Sequence, residues 1–348
     1  MILPSVKPAP RAKSVEIKPL NDNLAVAYDA FLARHPGAML YYSRSYVRLV
    51  EAVSGARPEI WVAVCGEEVN GIWPTMVRDG AFGVVLNSLP YFGSHGSPIA
   101  ETPEAESALL NWIAERTVRE FVAASVIIEN PLTPVAAIPY HCVLDERVSQ
   151  ITVLVGQDKL LNAIDPSARR NIRKAIASGI TVDIDHTAID FLFETHVENM
   201  AAIGGRPKGR EVFERIVELF EPGRDWDLFV AKLAGKPVAA ILVFYFKDIV
   251  EYFTPVTLAS ARPYQPTALI IQEAMLEAHR RGFSRWNWGG TWLSQDSVYK
   301  FKRKWGAEDR RYRYFVALTD LDILQQTPKS LREHYPEMYV APYIMLGG

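Results

Sequence analysis

The sequence predicts an α/β (α+β) fold made of two copies of one domain, each a mixed, mostly antiparallel sheet flanked by helices. The first observation is a repeated pair of apolar runs joined by a polar turn near a glycine, IWVAVCGEEVNGI at 60–72 and LFVAKLAGKPVAA at 228–240. The second is that a long helical pattern and one more apolar strand follow each pair, at 108–129 and 268–289. Such a repeat is too long for a solenoid. Two copies of one domain leave a cleft where ligands commonly bind.

Length and composition agree with two domains. The chain has 348 residues, 49% of them hydrophobic, and a net charge of -2. A charge this small excludes a protein whose whole surface binds nucleic acid or an anionic membrane, so a polyanion would have to meet a local patch. The two cysteines, Cys65 and Cys142, lie in apolar runs and form neither a disulfide framework nor a zinc site. A reducing cytoplasm is the expected location.

We divide the chain into four parts. Residues 1–13 are expected to be a flexible leader rather than a signal peptide, because they lack a long apolar core. The first domain is placed at 14–150 and the second at 151–320, and the tail at 321–348 is expected to fold back on the first domain. The longest apolar run, 237–246, is about half of what a membrane helix needs, so we expect no transmembrane segment but allow transient contact with a membrane-borne substrate.

Each element of the first domain has a local signal. We predict a strand at 15–19, a helix at 22–34, and a second helix that Ser43 caps and Gly55 ends. A hairpin turns at Gly66, a long helix begins at Thr102 and Pro103, and a strand follows at 125–129. Residues 141–155 are expected to be extended and to lead into the second domain.

The second domain has stronger signals. A helix is predicted with Asp165 as its N-cap, Pro166 as its first residue and Gly179 as the residue that ends it. The later elements are a strand at 180–185, helices at 188–202 and 210–220, a hairpin at 227–246 with its turn at Gly235 and Lys236, a strand at 250–254, a helix from Pro266 to 282, a strand at 285–288, a helix at 296–305 and a strand at 312–318.

Two basic clusters lie in the second domain. Charge runs usually form solvated faces, but two clusters near helix N-termini also suit a phosphate-rich ligand. The first consists of Lys159, Arg169, Arg170, Arg173 and Lys174, with Asn171 beside them, and the second of Lys300, Lys302, Arg303, Lys304, Arg310, Arg311 and Arg313.

The second cluster permits two interpretations. In one, Phe301 and Trp305 form a core stripe and Lys302 points to water. In the other, Lys302 enters the cleft beside the strand that ends at Trp288 and Gly289, where glycine lets a backbone approach a ligand closely. The residue spacing does not separate these two interpretations.

The loop NSLPYFGSHGSP at 87–98 contains groups able to orient an acceptor, notably Asn87, Tyr91 and His95. An ordinary surface loop is the alternative. A hydrolase is not indicated, because Ser94 and His95 are adjacent and the nucleophile-elbow pattern is absent. The other histidines show no metal spacing, and there is no Walker loop or dinucleotide fingerprint. Arg206, in GGRPKGREVF, is either a surface residue or a guanidinium presented to a phosphate.

Three segments carry a resemblance to a known family: RRNIRKAIASGITV at 169–182, WNWGG at 286–290 and VYKFKRKWGA at 298–307. By these the chain resembles the GNAT acyltransferases, and more closely the Fem-type nonribosomal peptidyltransferases and their acetyltransferase-like relatives, which contain two GNAT-like domains. The resemblance implies acyl or aminoacyl transfer to an amine, often on a cell-envelope precursor or sugar. It places Phe301 and Lys302 near the reacting acyl group, Arg206 at the acceptor diphosphate, and Tyr46 and Arg48 on an acceptor-binding helix.

The donor is less defined by the resemblance. The stretch RPYQPTA at 262–268, which contains the candidate Gln265, replaces the glycine-containing pyrophosphate loop of ordinary GNAT enzymes, and Pro266 removes one N–H from the helix start. The long coiled-coil arm of some Fem proteins is missing.

Our hypothesis is an N-acyltransferase that acts on an amino sugar or an envelope glycan precursor in polysaccharide biosynthesis, with acyl-CoA preferred as co-substrate. The alternatives are an enzyme that uses aminoacyl-tRNA on a peptidoglycan-type precursor, and a non-catalytic binding protein of the same fold. We assign Lys302 to oxyanion stabilisation, Tyr252 or Asp296 to proton acceptance, and Tyr252, Trp288 and Gly289 also to the acceptor site. No metal, tightly bound cofactor or DNA partner is expected.

Overall fold

The computed structural model describes residues 14–88, 96–135, 138 and 143–346. The predicted leader, Cys142 and two candidate acceptor residues, Tyr91 and His95, lie outside the described residues. The described part forms one 13-stranded, mostly antiparallel sheet flanked by helices, which confirms the predicted fold class.

The strands are β1 (Val15–Pro19), β2 (Arg57–Cys65), β3 (Glu68–Gly80), β4 (Gly83–Asn87), β5 (Ile99–Ala100), β6 (Ala124–Ile128), β7 (Val143–Val153), β8 (Ile180–Ile184), β9 (Trp226–Leu233), β10 (Lys236–Phe246), β11 (Ile249–Thr257), β12 (Arg285–Trp292) and β13 (Glu308–Leu318). The α-helices are α1 (Asp22–Arg34), α2 (Arg44–Ser54), α3 (Pro103–Arg119), α4 (Gln157–Ala163), α5 (Pro166–Ala177), α6 (Ile189–Ala202), α7 (Arg210–Leu219), α8 (Pro266–Arg280), α9 (Asp296–Arg303) and α10 (Pro328–His334).

The element order repeats between the two halves. The first copy runs β1, α1, α2, β2, β3, β4, α3, β6, and the second runs β8, α6, α7, β9, β10, β11, α8, β12. In each copy, the strand before the long helix pairs in parallel with the strand after it, β4 with β6 and β11 with β12. The duplication read from the sequence is therefore a duplication of topology.

The two copies exchange their last strands. The sheet order is β1-β2-β3-β4-β6-β13-β7-β12-β11-β10-β9-β8. Thus β7, which follows the first copy, pairs with β12 of the second, and β13, at the end of the second copy, pairs with β6 of the first. The predicted domain boundary at residue 150 falls within β7, and the sheet is continuous across it. The boundaries stay a prediction.

Local capping explains why the helices begin where they do. The side chains of Ser43, Thr102 and Asp165 accept hydrogen bonds from backbone N–H groups in the first turns of α2, α3 and α5. Each supplies a partner that a helix N-terminus lacks. Gly179, with φ of 78°, follows α5 in the left-handed conformation expected of a stop.

Some elements differ from the prediction. β12 continues through Gly289 and Gly290 to Trp292, because Gly290 and Thr291 pair with β7. The β9–β10 turn lies at Ala234 and Gly235, one residue earlier than expected, and both have positive φ. Strand β4 and helix α4 had no clear sequence signal.

Three large hydrophobic clusters support the sheet. One lies under α3 in the first copy and another under α5 and α8 in the second. The largest joins the copies, where α2 packs against α7 and Val47 and Val50 share a core with Phe213 and Ile216. Burial of these side chains is the main term that holds the two copies together.

The tail returns to the first copy. Ile323, Leu331 and Tyr335 are buried in the joint core. The Tyr335 hydroxyl donates to the Gly83 carbonyl at 2.7 Å, and Arg78 Nε donates to the His334 carbonyl at 3.1 Å. Among the described residues, no helix is both long and apolar enough to cross a membrane.

Candidate active site

The site begins where two parallel strands of the second copy separate. β11 and β12 pair only through Ile249, Val250 and Glu251, and the last pair is Glu251 with Asn287. Beyond this pair β11 contains a bulge, since the register against β10 shifts at Leu242/Val243. A bulge bends its strand and increases the twist, and it leaves an opening between the strands.

Glu251 lies buried at the base of this opening. Its Oε2 accepts hydrogen bonds from the Tyr41 hydroxyl at 2.9 Å and from Asn287 Nδ2 at 2.7 Å. Its Oε1 has no hydrogen-bond partner among the described residues. Burial raises the pKa of this carboxyl to about 7, against the lowering effect of the two hydrogen bonds. A carboxyl with this pKa takes up and releases protons at neutral pH.

Lys302 fixes one wall of the opening. The side chain is only 5% exposed, so the interpretation that sends it to water is wrong. Nζ donates to the Gly289 carbonyl at 3.2 Å, the Gly290 carbonyl at 3.3 Å and Thr291 Oγ1 at 2.7 Å. Burial lowers the pKa of Lys302 to about 7. These three contacts hold the strand segment that forms the cavity wall.

A cavity of about 770 Å³ opens between the second copy and the elements that face it from the first copy and the tail. Its lining includes Tyr41 from the first copy, Tyr252 and Gly289 from the second, and Met338 and Tyr343 from the tail. We call it the acceptor cavity, after the acceptor-binding role expected from the sequence for Arg206, Tyr252 and Gly289 in its lining. A volume of this size suits a small-molecule ligand or part of a larger one.

The charged lining of the acceptor cavity is mainly cationic. Arg206, Lys208 and Arg332 line it, against one carboxylate, Glu337, which pairs with Arg206 at 3.0 Å. Among the described residues, Lys208 Nζ has no hydrogen-bonded acceptor; it lies 4.9 Å from the centre of the Phe253 ring. Burial lowers the pKa of Lys208 to about 8. The cavity therefore favours an anionic ligand.

A second groove of about 430 Å³ reaches the opening from the start of α8. It is lined by Asn199, Thr257, Arg262, Gln265 and Phe301, among others. We call it the donor groove, after the donor-binding role expected from the sequence for Gln265. Tyr252 lines both the donor groove and the acceptor cavity, so the two meet at its side chain. Burial raises the pKa of Tyr252 above its ordinary value, so the phenol stays protonated: it can donate a hydrogen bond, and the predicted role of Tyr252 as a proton acceptor does not fit.

The structure brings several predicted site residues together. Arg206, Tyr252 and Gly289 line the acceptor cavity, and Gln265 and Phe301 line the donor groove. Trp288 packs between these walls, 4.9 Å from Tyr252 and 6.0 Å from Phe301 between ring centres. Their grouping follows from the folding of β11, β12 and α9 around one opening.

Other predicted residues lie elsewhere. Arg48 lines a separate hollow beside the start of α2. Asn87 is buried in the first copy. Asp296 is exposed and pairs with Lys300 at 2.5 Å. No residue of the first basic cluster, including Arg169, Arg170, Asn171, Arg173 and Lys174, lines the cavity or the groove, although α5 packs against α8.

Sequence reasoning missed four residues of the site: Glu251, Tyr41, Lys208 and Arg332. Glu251 carried one usable signal, since a charged residue inside the apolar run 249–253 is rarely buried without a partner. Tyr41 and Arg332 had none, because they come from the first copy and the tail. Among the described residues, no group of three or more His, Cys, Asp or Glu is placed to hold a metal ion.

Comparison with known proteins supports the predicted resemblance of the second copy to the GNAT fold. Residues 166–316 match the family model of the acetyltransferase (GNAT) domain. No curated protein matches the chain.

Similar solved structures cover nearly the whole chain. The crystal structure of FemX is 15% identical with a TM-score of 0.65, and the alignment covers 91% of this chain and 99% of that one. The C-terminal domain of a putative lysylphosphatidylglycerol synthetase from Agrobacterium fabrum is 11% identical with a TM-score of 0.55, covering 92% and 99%. A tandem GNAT protein from the clavulanic acid biosynthesis pathway is 14% identical with a TM-score of 0.53, covering 88% and 98%.

At these identities the likeness to the solved structures concerns the fold. The match of residues 166–316 to the acetyltransferase (GNAT) domain model, and the fold that the chain shares with FemX and with the tandem GNAT protein, both agree with the resemblance read from the sequence.

Proposed function

We propose that the protein is an N-acyltransferase that moves an acyl group from acyl-CoA to the amine of an anionic acceptor, an amino sugar or a cell-envelope glycan precursor. The observation that carries the proposal is that the donor groove and the acceptor cavity share Tyr252, and that Tyr41 of the cavity lining is hydrogen-bonded to the buried Glu251. Transfer requires two substrates to reach one point from separate entrances, and this opening supplies that arrangement.

Glu251 is the proposed proton acceptor. The amine nitrogen attacks the acyl carbonyl, the carbon–sulfur bond of the thioester breaks, and the thiolate leaves. The proton from nitrogen passes to the Tyr41 hydroxyl, which gives its own proton to Glu251 Oε2 at 2.9 Å. A carboxyl with a pKa of about 7 suits this step, because it is charged before transfer and accepts a proton readily.

Tyr252 and Lys302 support the same step differently. The protonated Tyr252 hydroxyl, at the junction, donates a hydrogen bond to the developing oxyanion or to the leaving sulfur. Lys302 holds Gly289 and Gly290 in place through their carbonyls. The direct oxyanion role of Lys302 stays a prediction, and so does the place of Phe301 beside the acyl group.

Aminoacyl-tRNA is the second candidate donor. Arg170, Arg173 and Lys174 are exposed on α5, which packs against α8 at the donor groove. The turn before α8, at the donor groove, has Gln265 in a left-handed conformation with φ of 60°, and the Gln265 side chain donates to the Arg262 carbonyl. This turn therefore differs from the glycine-containing pyrophosphate loop of ordinary GNAT enzymes. An exposed basic face is suited to a nucleic-acid backbone.

The deciding experiment gives the purified protein acetyl-CoA or aminoacyl-tRNA together with nucleotide-linked amino sugars, and detects N-acylated product by mass spectrometry. Product with acetyl-CoA supports the proposal. Product with aminoacyl-tRNA alone, with donor binding that weakens steeply as salt rises, supports the second candidate. If neither donor gives product across amine acceptors, the proposed reaction is wrong.

A further inference from the structure

The hydroxyl that the first copy supplies to the site belongs to a short connection between two helices. Tyr41 lies between the end of α1 at Arg34 and the start of α2 at Arg44, and we call residues 35–43 the Tyr41 segment. Tyr41 is buried, and its hydroxyl donates to Glu251 Oε2 at 2.9 Å. Connections are ordinarily more mobile than the elements they join, so the position of this hydroxyl depends on what holds the segment.

A buried amide from another part of the first copy holds both ends of the Tyr41 segment. Asn130 follows β6 and is fully buried. Its Nδ2 donates to the Gly37 carbonyl at 2.8 Å and to the Tyr42 hydroxyl at 3.1 Å. Gly37 and Tyr42 lie on either side of Tyr41 in the chain, so the two N–H groups of one amide bracket the residue that carries the hydroxyl.

The amide is itself held in place by hydrogen bonds. The Asn130 backbone N–H donates to Ser97 Oγ at 3.0 Å, and its Oδ1 accepts from the Leu132 N–H at 2.9 Å. The Tyr42 hydroxyl also donates to the Ser97 carbonyl, at 2.8 Å. Buried polar networks whose members are all hydrogen-bonded are rigid, so this network gives the Tyr41 segment a fixed position.

Packing leaves the segment little room to shift. A Cβ atom added at Gly37 would lie 2.5 Å from Thr133 Cγ2, so the backbone of the segment is in close contact with the loop at 130–133. At the other end, the Tyr28 hydroxyl donates to the Tyr42 carbonyl at 2.5 Å. The segment is therefore held between α1 and this loop.

We propose that Asn130 is a positioning residue for the acyl transfer, because it holds the Tyr41 segment so that the Tyr41 hydroxyl stays within hydrogen-bond distance of Glu251. An amide suits this role, since it offers two N–H donors and an acceptor without a charge. An alanine in its place would donate neither to the Gly37 carbonyl nor to the Tyr42 hydroxyl. The Tyr41 segment then loses its bracket, and the hydroxyl moves away from the carboxylate.

This inference rests on the proposed function, since it concerns the proton relay to Glu251, but its first test needs no substrate. The hydrogen bond from Tyr41 lowers the pKa of Glu251, so a displaced Tyr41 raises it. The pKa is measured from carboxyl ¹³C signals of glutamate-labelled protein, in which the Glu251 signal is the one absent from Glu251→Gln. We expect Asn130→Ala and Tyr41→Phe to shift the pKa of Glu251 upwards.

The second test is a double-mutant cycle in kcat, with the donor and acceptor that give product. Asn130→Ala should lower kcat by about ten- to a hundredfold and leave KM within about twofold, since a shift of about 1 Å can cost about 10²-fold in rate. In the Tyr41→Phe background, Asn130→Ala should cost less than about twofold, because the effects of residues in one hydrogen-bond network do not add.

The matched control is Thr117→Val. It removes a buried side-chain hydrogen bond of the same copy, from Thr117 Oγ1 to the Ile113 carbonyl at 2.8 Å within α3. The pKa of Glu251 and kcat should stay as in the wild type. Circular dichroism melting checks that each variant folds. If Asn130→Ala does not fold, Tyr42→Phe replaces it, because it removes the hydroxyl that accepts from Asn130 and keeps the ring.

Two results would overturn the proposal. One is an unchanged pKa of Glu251 in the folded Asn130 or Tyr42 variant, and the other is an equal loss of kcat from Asn130→Ala in the wild-type and Tyr41→Phe backgrounds. A raised pKa in a protein that transfers no acyl group from any donor would support the positioning of Tyr41 and contradict the proposed function, so the two failures are distinguishable.

Discussion

The two copies share one topology, but among the described residues the opening between parallel strands that leads into a cavity lies in the second copy. In both, a pair of parallel strands ends in a last residue pair, Asn87 with Val126 in the first copy and Glu251 with Asn287 in the second. The first copy thus places a neutral amide and an aliphatic side chain where the second places a carboxylate and its hydrogen-bond donor.

The strands beyond these pairs also differ. In the first copy, the Ser88 N–H donates to the Val126 carbonyl and the Gly96 N–H to the Ile128 carbonyl, while Ser97 Oγ accepts from the Asn130 N–H. These bonds bridge the space between the strands. In the second copy, Tyr252 borders the corresponding space, which opens into the cavity and the groove. Among the described residues, hydrogen bonds therefore cross in the first copy the space that stays open in the second.

The closed copy still contributes to the open site. Tyr41 comes from the first copy and donates to Glu251 across the joint core. The first copy therefore acts as a fixed wall, which positions a hydroxyl that the second copy alone would lack.

Replacement of the carboxylate should have the largest effect. Glu251→Gln keeps the shape and an acceptor for Tyr41 and Asn287 but cannot take a proton, so kcat should fall by about 10²- to 10⁴-fold. Steady-state kinetics with the donor and acceptor that give product measure this. The matched change in the other copy, Asn87→Ala, should leave kcat within about twofold. Equal losses in the two variants would contradict the contrast between the copies.

The ionisation of Glu251 should affect catalysis and stability in opposite directions as pH rises. The pKa of Glu251 is raised from 4.5 to about 7 in the folded protein, so its contribution to stability is present below pH 4.5 and is lost as pH rises through about 7. The wild-type kcat/KM should rise through this range as the base ionises. Glu251→Gln should lack that rise and, at pH 8, melt no earlier than the wild type.

Lys302→Met should have the next largest effect. It leaves the Gly289 and Gly290 carbonyls and Thr291 Oγ1 without their common donor. The cavity wall then shifts, and a shift of about 1 Å can cost about 10²-fold in rate. The control is Lys300→Met on the same helix, since within the described part of the chain the exposed Lys300 side chain pairs only with Asp296. A kcat unchanged in Lys302→Met would remove this residue from the mechanism.

The pairing of β13 of the second copy with β6 of the first should become less stable in the variant Glu129→Gln. This buried carboxylate accepts from the backbone N–H, Nε and Nη2 of Arg313 on β13, at 2.6 to 3.0 Å. Removal of its charge should lower the free energy of unfolding by about 2 kcal/mol. Denaturant titration measures the loss, and Glu146→Gln, which changes an exposed pair with Arg311 at 3.8 Å, should cost less than about 0.5 kcal/mol. Similar losses would show that β13 is not held by this pair.

The smallest effect is expected at the cationic lining. Lys208→Met should raise KM for an anionic acceptor by about five- to tenfold with little change in kcat, because it removes binding made equally in the ground and transition states. The control is Lys236→Met, because Lys236 is an exposed residue at the start of β10, and this change should leave KM and kcat as in the wild type. A fall in kcat with an unchanged KM would instead place Lys208 at the reacting atoms.

Local signals predicted most of the helices and strands. Ser43, Thr102 and Asp165 cap the helices that they were expected to cap, because a cap and its helix lie within a few residues of each other. The repeated apolar runs likewise predicted two copies of one fold. The resemblance also marked Phe301, Lys302 and Arg206, which the structure places at one opening or beside it.

The sequence by itself therefore determined the duplicated topology and the resemblance of the second copy to the GNAT domain, because both depend on short-range patterns. Only the tertiary structure decided which copy is open, where β7 and β13 pair, and which cations face the cavity. The pairing of Tyr41 with Glu251 joins residues 210 positions apart, and the ionisation of that carboxyl depends on burial by both copies. Neither the pairing nor the burial follows from neighbours along the chain, since both arise only when the core between the copies is packed.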